Sequence, residues 1–162
     1  RSTVSNAGME LTTSEYRSLL NAAKSQRNPR LYYLIQILAL TKISVSEHQY
    51  ITPEAVEQGF FLIPRGNSSK VVVLPNALRK ELAAFVESMK LKEGPIFSSR
   101  TGKPWDRAAI HKSLKRLCRG TKIDPEKVTA RNLTHVVAFG AAVYKLDERV
   151  KHINGARDKE EH

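Results

Sequence analysis

Cations dominate the side chains of this sequence that could do chemistry. Lys112, Lys115, Arg116 and Arg119 recur at i, i+3, i+4 and i+7, the spacing of one stripe along a helix. Arg65 stands beside Gly66 in a turn-rich stretch, and Arg131 stands shortly before His135. Such groups hold phosphate. A guanidinium offers a planar fork of donors that matches two phosphate oxygens, and an ammonium offers a compact point charge. The same stripe also reads as the ordinary solvated face of a helix, Arg65 and Arg131 also read as surface cations, and His135 as a structural histidine. Overall charge weighs toward phosphate: 27 Lys and Arg against 16 Asp and Glu leave a net charge of +11. That excess attracts polyanions at long range, with nucleic acid as the first candidate partner and a basic surface without a specific polyanion as the alternative.

Other chemistries find little support. His48, His111 and His152 have no ligand spacing, so no metal is expected, and no cofactor either. Cys118 is the lone cysteine; it excludes an intrachain disulfide, fits a reducing cytoplasm and reads as a small core residue. Trp105 reads as a packing residue rather than a base-stacking one. The longest apolar run, Val136 to Tyr144, is too short to span a bilayer, and no basic helix with aromatic anchors is present. The expectation is a cytoplasmic protein with no membrane partner.

Those groups need a scaffold. The 162 residues suit a single domain with a packed core, and a hydrophobic content of 41% excludes a disordered chain. Arg1 to Gly8 are patternless and read as a tag remnant, Ser5-Asn6-Ala7 resembling a cleavage scar; residues 9–162 form the expected domain. Thr12 and Glu15 make a capping-box pair that predicts a helix over 14–24. Pro29 opens a second helix. Its Leu31, Leu34, Ile35, Ile37, Leu38 and Leu40 are apolar nearly all round, the mark of a central, buried helix. Thr52-Pro53-Glu54 starts another, and Gly59 ends it. Phe60 to Ile63 and Val71 to Leu74 are short β runs around the turn-rich Arg65 to Ser69, which predicts a hairpin.

A helix over 77–89 follows, then a third, short strand at Pro95 to Phe97. Asp106 caps a helix over 107–119, with Ile110, Leu114 and Leu117 as its apolar stripe and Gly120 at its end. Asp124-Pro125-Glu126 starts a short turn. Thr129 caps a long helix through Leu133, Val136, Ala141 and Val143, and Asp147 a last one ending near Asn154-Gly155. The prediction is an α+β domain, mainly α, with a small antiparallel β-hairpin sheet.

Several of these segments resemble the catalytic domain of tyrosine recombinases, the phage-integrase family, over roughly Leu11 to Ala156. Val128 to His135 is similar to the family's His-x-Leu-Arg-His box. Leu133 and His135 match, Arg131 stands at the first His position and Thr134 at the Arg position. Leu40 to Glu47 resembles Thr-Gly-x-Arg-x-Ser-Glu. Thr41, Ser46 and Glu47 match, Lys42 replaces the Gly, and Ser44 replaces the first catalytic Arg. The family carries a catalytic Lys in its hairpin turn; Arg65 stands there, with Lys70 as the other alignment. Gly94 to Phe97 and Thr101 to Pro104 are similar to a loop of these integrases. Ile153 to Ala156 falls where the family has Leu-Gly-His, with Ala156 in place of the His. The family's nucleophilic Tyr belongs further on, past His162, and Tyr144 is too early to serve.

The resemblance implies an integrase-like domain connected with DNA integration and recombination. In the family reaction a Tyr oxygen attacks phosphorus while two Arg forks hold the non-bridging oxygens. Ser44 and Thr134 carry no charge and make no fork. Arg65 is a poor acid, because its pKa lies far above neutrality. The expectation is a degenerate member in which Ser44, Arg65, Arg131, Thr134, His135 and Ala156 occupy catalytic positions without an intact catalytic set. Lys42, Arg65, Lys112, Lys115, Arg116, Arg119 and Arg131 are the expected contacts to double-stranded DNA. A recombinase or a second copy of the chain is a further expected partner. Two alternatives stay open: a protein-interaction or regulatory domain without DNA binding, and a fragment of an active recombinase completed in trans.

Overall fold

Thr12 and Glu15 do close a reciprocal cap. The Glu15 N–H donates to Thr12 Oγ1 at 3.1 Å and the Thr12 N–H to Glu15 Oε1 at 2.9 Å, which starts α1 (Thr13–Ser25). The computed structural model describes residues 10–99 and 101–136. After α1 the chain runs through α2 (Pro29–Thr41), a 3₁₀ helix (Val45–Tyr50), α3 (Pro53–Gln58), strands β1 (Phe60–Arg65) and β2 (Ser68–Val73), α4 (Asn76–Ser88), α5 (Arg107–Leu117), a 3₁₀ turn (Pro125–Lys127) and α6 (Ala130–His135).

The central helix is α2. Asn28 caps it by accepting the Leu31 N–H at 3.2 Å, and Pro29 sits where an N–H would have no partner. Leu31, Leu34, Ile35, Ile37, Leu38 and Ala39 are all buried, and each large side chain contributes about 1.5–3 kcal/mol on leaving water. Helices α1, α5 and α6 each pack on α2. Its remaining side reaches α4 through aromatic rings. Tyr33 lies 5.4 Å from Phe85, Phe85 6.0 Å from Phe97, and Phe97 5.9 Å from His48, centroid to centroid. Arg30, near the start of α2, donates to the Ser98 carbonyl at 3.1 Å and lies 4.2 Å over the Trp105 ring. Trp105 is thereby buried.

β1 and β2 pair antiparallel from Phe60 opposite Val73 to Arg65 opposite Ser68. Only Gly66-Asn67 remains as the turn, so pairing extends further into the turn-rich stretch than its apolar runs indicate. Phe61, Ile63 and Val72 point inward and are buried, while Phe60, Leu62, Val71 and Val73 face outward. Gly59, at φ +91°, lets the chain leave α3 and enter β1, a conformation that a Cβ would strain.

Two expectations need correction. Pro95 to Phe97 form no strand, and the sheet has two strands. Ile96 and Phe97 are buried without a ladder: the Ile96 N–H donates to the Ile51 carbonyl, and only an isolated bridge joins Ser98 to Pro104. The Thr129-capped helix ends at His135, because Val136 is extended (φ −68°, ψ 145°) and its carbonyl accepts from Lys42. Ala141, Val143, the helix expected after Asp147, Ala156 and Arg1 to Gly8 lie outside the described residues. No helix of the described residues is long and apolar enough to cross a membrane.

His48 is 1% exposed, and its Nε2 donates to the Trp105 carbonyl at 2.9 Å. Its Nδ1 has no partner. Burial pushes its pKa below the usual 6.5, and the bond to Trp105 offsets this only partly. The unfolded chain therefore binds a proton here before the folded one does. Stability from this site is full above pH 6.5 and falls as pH drops below it. Thermal melts between pH 7.5 and 5 are expected to show a falling midpoint, and His48→Gln should flatten part of that fall. An equally steep fall in the variant would assign it to other groups.

Candidate functional site

The C-terminal end of α2 supplies the first wall of the site. The Thr41 hydroxyl donates back to the Ile37 carbonyl at 2.6 Å, and Lys42 then turns left-handed at φ +64°. That conformation costs an L residue about 1–2 kcal/mol. It aims the Lys42 ammonium at the Val136 carbonyl, 2.9 Å away, so Lys42 ties the end of α2 to the end of α6. Burial pushes the Lys42 pKa down. Ser44 precedes the first 3₁₀ helix, and its N–H donates to Glu47 Oε1 at 2.8 Å. Glu47 Oε2 pairs with Arg65 Nη1 at 2.9 Å. Burial alone would raise the Glu47 pKa, but the Ser44 N–H and Arg65 outweigh it and hold the carboxyl below its ordinary value.

The opposite wall comes from α6 and α5. Thr129 caps α6 by accepting the Asn132 N–H at 3.0 Å, which sets the pitch of Arg131 and Thr134. Asp106 caps α5 by accepting the Ala109 N–H at 3.2 Å, and Arg107 is the first residue of that helix. Lys42, Ser44, Ser46, Arg107, Arg131 and Thr134 line one hollow of about 290 Å³. Three carry positive charge, three carry hydroxyls, and among the described residues no carboxylate lines it. The ion pairs among the described residues are Arg65–Glu47 and Lys127–Glu15, so neither Arg107 nor Arg131 is neutralised by one. The Thr134 hydroxyl donates to the Arg131 carbonyl at 2.7 Å, which commits its only proton.

The structure thus brings together Lys42, Ser44, Arg131 and Thr134. Arg65 stands apart, its side chain 49% exposed and held by Glu47. His135 is exposed and does not line the hollow. Arg107 was missed by the sequence reading. It precedes the basic stripe and is off its spacing, and the only local signal is its place after the Asp106 cap, which marks a helix start and nothing more.

The stripe on α5 divides. Lys112 and Arg116 are exposed on the helix, and Arg119 is exposed just past its end. Lys115 is half-buried and donates to the Pro125 carbonyl, fastening the 3₁₀ turn to α5. His111 is pushed below its usual pKa by burial and then by Arg107 and Lys115, a local sign of positive potential. The buried Cys118 thiol is pushed up, chiefly by burial, away from the thiolate a nucleophile needs.

No protein-family model matches the chain, and no curated protein matches it. A solved structure, the crystal structure of XerA recombinase, does match, with a TM-score of 0.63 at 21% identity over 78% of this chain and 46% of that one. The chain spans less than half the length of that recombinase. At this identity the likeness is one of fold. The mainly helical domain with its two-stranded antiparallel hairpin has a tyrosine-recombinase-like catalytic-domain fold.

The Glu47 contacts predict an order of stability losses. Arg65→Ala removes a pair whose cation is half in water, a loss below about 1 kcal/mol. Glu47→Ala also strips the Ser44 N–H of its acceptor and is expected to cost more, about 1–2 kcal/mol. Urea unfolding of both variants measures the difference; equal losses would mean that the cap contributes nothing.

Proposed function

We propose that this chain is a recombinase-like DNA-binding domain that grips duplex DNA without cutting it. The observation that carries this reading is the hollow. Lys42, Arg107 and Arg131 line it, with no carboxylate beside them among the described residues, at one corner of a recombinase-like fold. Lys112, Arg116 and Arg119 add exposed positive charge on and just beyond α5. Such contacts would position a duplex through its phosphates without reading its sequence.

Inactivity follows from what stands at the positions that the family resemblance assigns to catalytic guanidinium groups. Ser44 and Thr134 are neutral there, and the Thr134 proton is already donated to the Arg131 carbonyl. Losing one transition-state donor typically costs roughly 10²–10³ in rate. Arg65 is engaged by Glu47 and is a poor proton donor at neutral pH. A second reading, a protein-interaction domain, is favoured by the hairpin's outer face, where Phe60, Leu62, Val71 and Val73 are 37–68% exposed.

Retardation of a labelled duplex across a salt series tests the proposal. Binding is expected at about 50 mM salt and should weaken with a log–log slope of about −0.9 per phosphate contacted. Lys112→Glu with Arg116→Glu should weaken it by about tenfold or more. Lys115→Glu is a poorer probe, because it also undoes the contact to Pro125. A nicked duplex should yield no covalent protein–DNA adduct. Absence of retardation would sink the DNA reading in favour of protein interaction, and an adduct would sink the claim of inactivity.

A further inference from the structure

We infer that the hollow takes a phosphomonoester, a terminal phosphate group, rather than the internal diester of a continuous strand. This deepens the DNA-binding reading by naming the group that the hollow receives. Charge is the first argument. Lys42, Arg107 and Arg131 bring three positive charges to one hollow, and among the described residues none that lines it offsets them. Glu47, the carboxylate that touches Ser44, is already paired with Arg65. A diester phosphate carries one negative charge, whereas a monoester carries about −1.5 to −2 at pH 7.

Donor geometry is the second argument. Two arginines, each with a guanidinium fork, and one lysine line the same hollow. One ammonium proton goes to the Val136 carbonyl, which leaves Lys42 two for a ligand. A diester offers two non-bridging oxygens to these donors, and a monoester offers three strong acceptor oxygens. Size agrees: about 290 Å³ is room for roughly ten waters at about 30 Å³ each, enough for a phosphate and part of its sugar. Arg107 is central to the assignment, because α5 and not α6 supplies the second fork. The shared chemistry is the monoester, whether it belongs to a DNA 5′ end or to a free nucleotide.

The test uses the 162-residue chain. Inorganic phosphate is titrated first, followed by amide and imidazole NMR signals. Shifts are expected at Ser44, Ser46 and Arg131, with a rise in the His111 pKa as the nearby positive charge is offset. Thymidine 5′-monophosphate should bind, and thymidine should not. A 5′-phosphorylated duplex should bind about tenfold tighter than the same duplex without its phosphates, the effect of one charge-assisted contact set. Arg107→Gln and Arg131→Gln should each erase that ratio while keeping the thermal midpoint. Lys112→Gln should weaken both duplexes alike and preserve the ratio. A preference for phosphorylated ends identifies DNA as the source, and nucleotide binding without that preference identifies free nucleotide; both support the monoester site. Phosphate shifts confined to Lys112 and Arg116, or no effect of phosphorylation together with no nucleotide binding, overturn the inference. Affinity for the unphosphorylated duplex, read in the same titration, decides the DNA-binding reading separately.

Discussion

A helix that is apolar nearly all round must be covered nearly all round, and the burial of α2 imposes that requirement on the rest of the chain. Helices α1, α5 and α6 cover it directly, and α4 reaches it through Phe85. A buried helix also exposes its need for partners at its two ends, where backbone groups lack neighbours along the helix. At the start, Asn28 takes up an N–H while Arg30 grips Ser98 and Trp105. At the end, the free carbonyls and the negative end of the helix dipole favour cations, and Lys42 stands there. The hollow lies where this helix runs out. The polar corner follows from the apolar core.

Much of this was legible in local pattern. The Thr12–Glu15 box, Pro29, Thr52-Pro53, Gly59 and Asp106 each act within a few residues of themselves, and each begins or ends the element that its chemistry implies. Pro95 to Phe97 misled because a buried apolar run satisfies its backbone by a bond to Ile51 as readily as by a ladder. Val136 misled because apolar spacing carries no information about a distant lysine reaching its carbonyl. Arg107 escaped for the same reason: its neighbours in the hollow come from two other helices, and no periodicity links positions 107 and 131. Lys115 shows the converse, a residue on the expected stripe whose charge is turned to holding the Pro125 turn.

Ser44 and Thr134 sit in a frame of local hydrogen bonds. Glu47 caps Ser44, Thr129 caps α6, and the hydroxyl of Thr134 turns inward to its own helix backbone. The positive charge at this corner comes from Lys42, Arg107 and Arg131. Donors held on three rigid elements keep their directions, so the corner has a fixed electrostatic shape.

The bond from Lys42 to Val136 joins positions 94 residues apart. The hairpin and the caps close over short loops and can form early, whereas this contact waits for nearly the whole described chain. On a ribosome, the hollow therefore lacks its α6 side until that helix has emerged and docked. Through most of synthesis the chain presents basic side chains and a folding core without an assembled corner. The order of contacts delays the site until the fold behind it is in place.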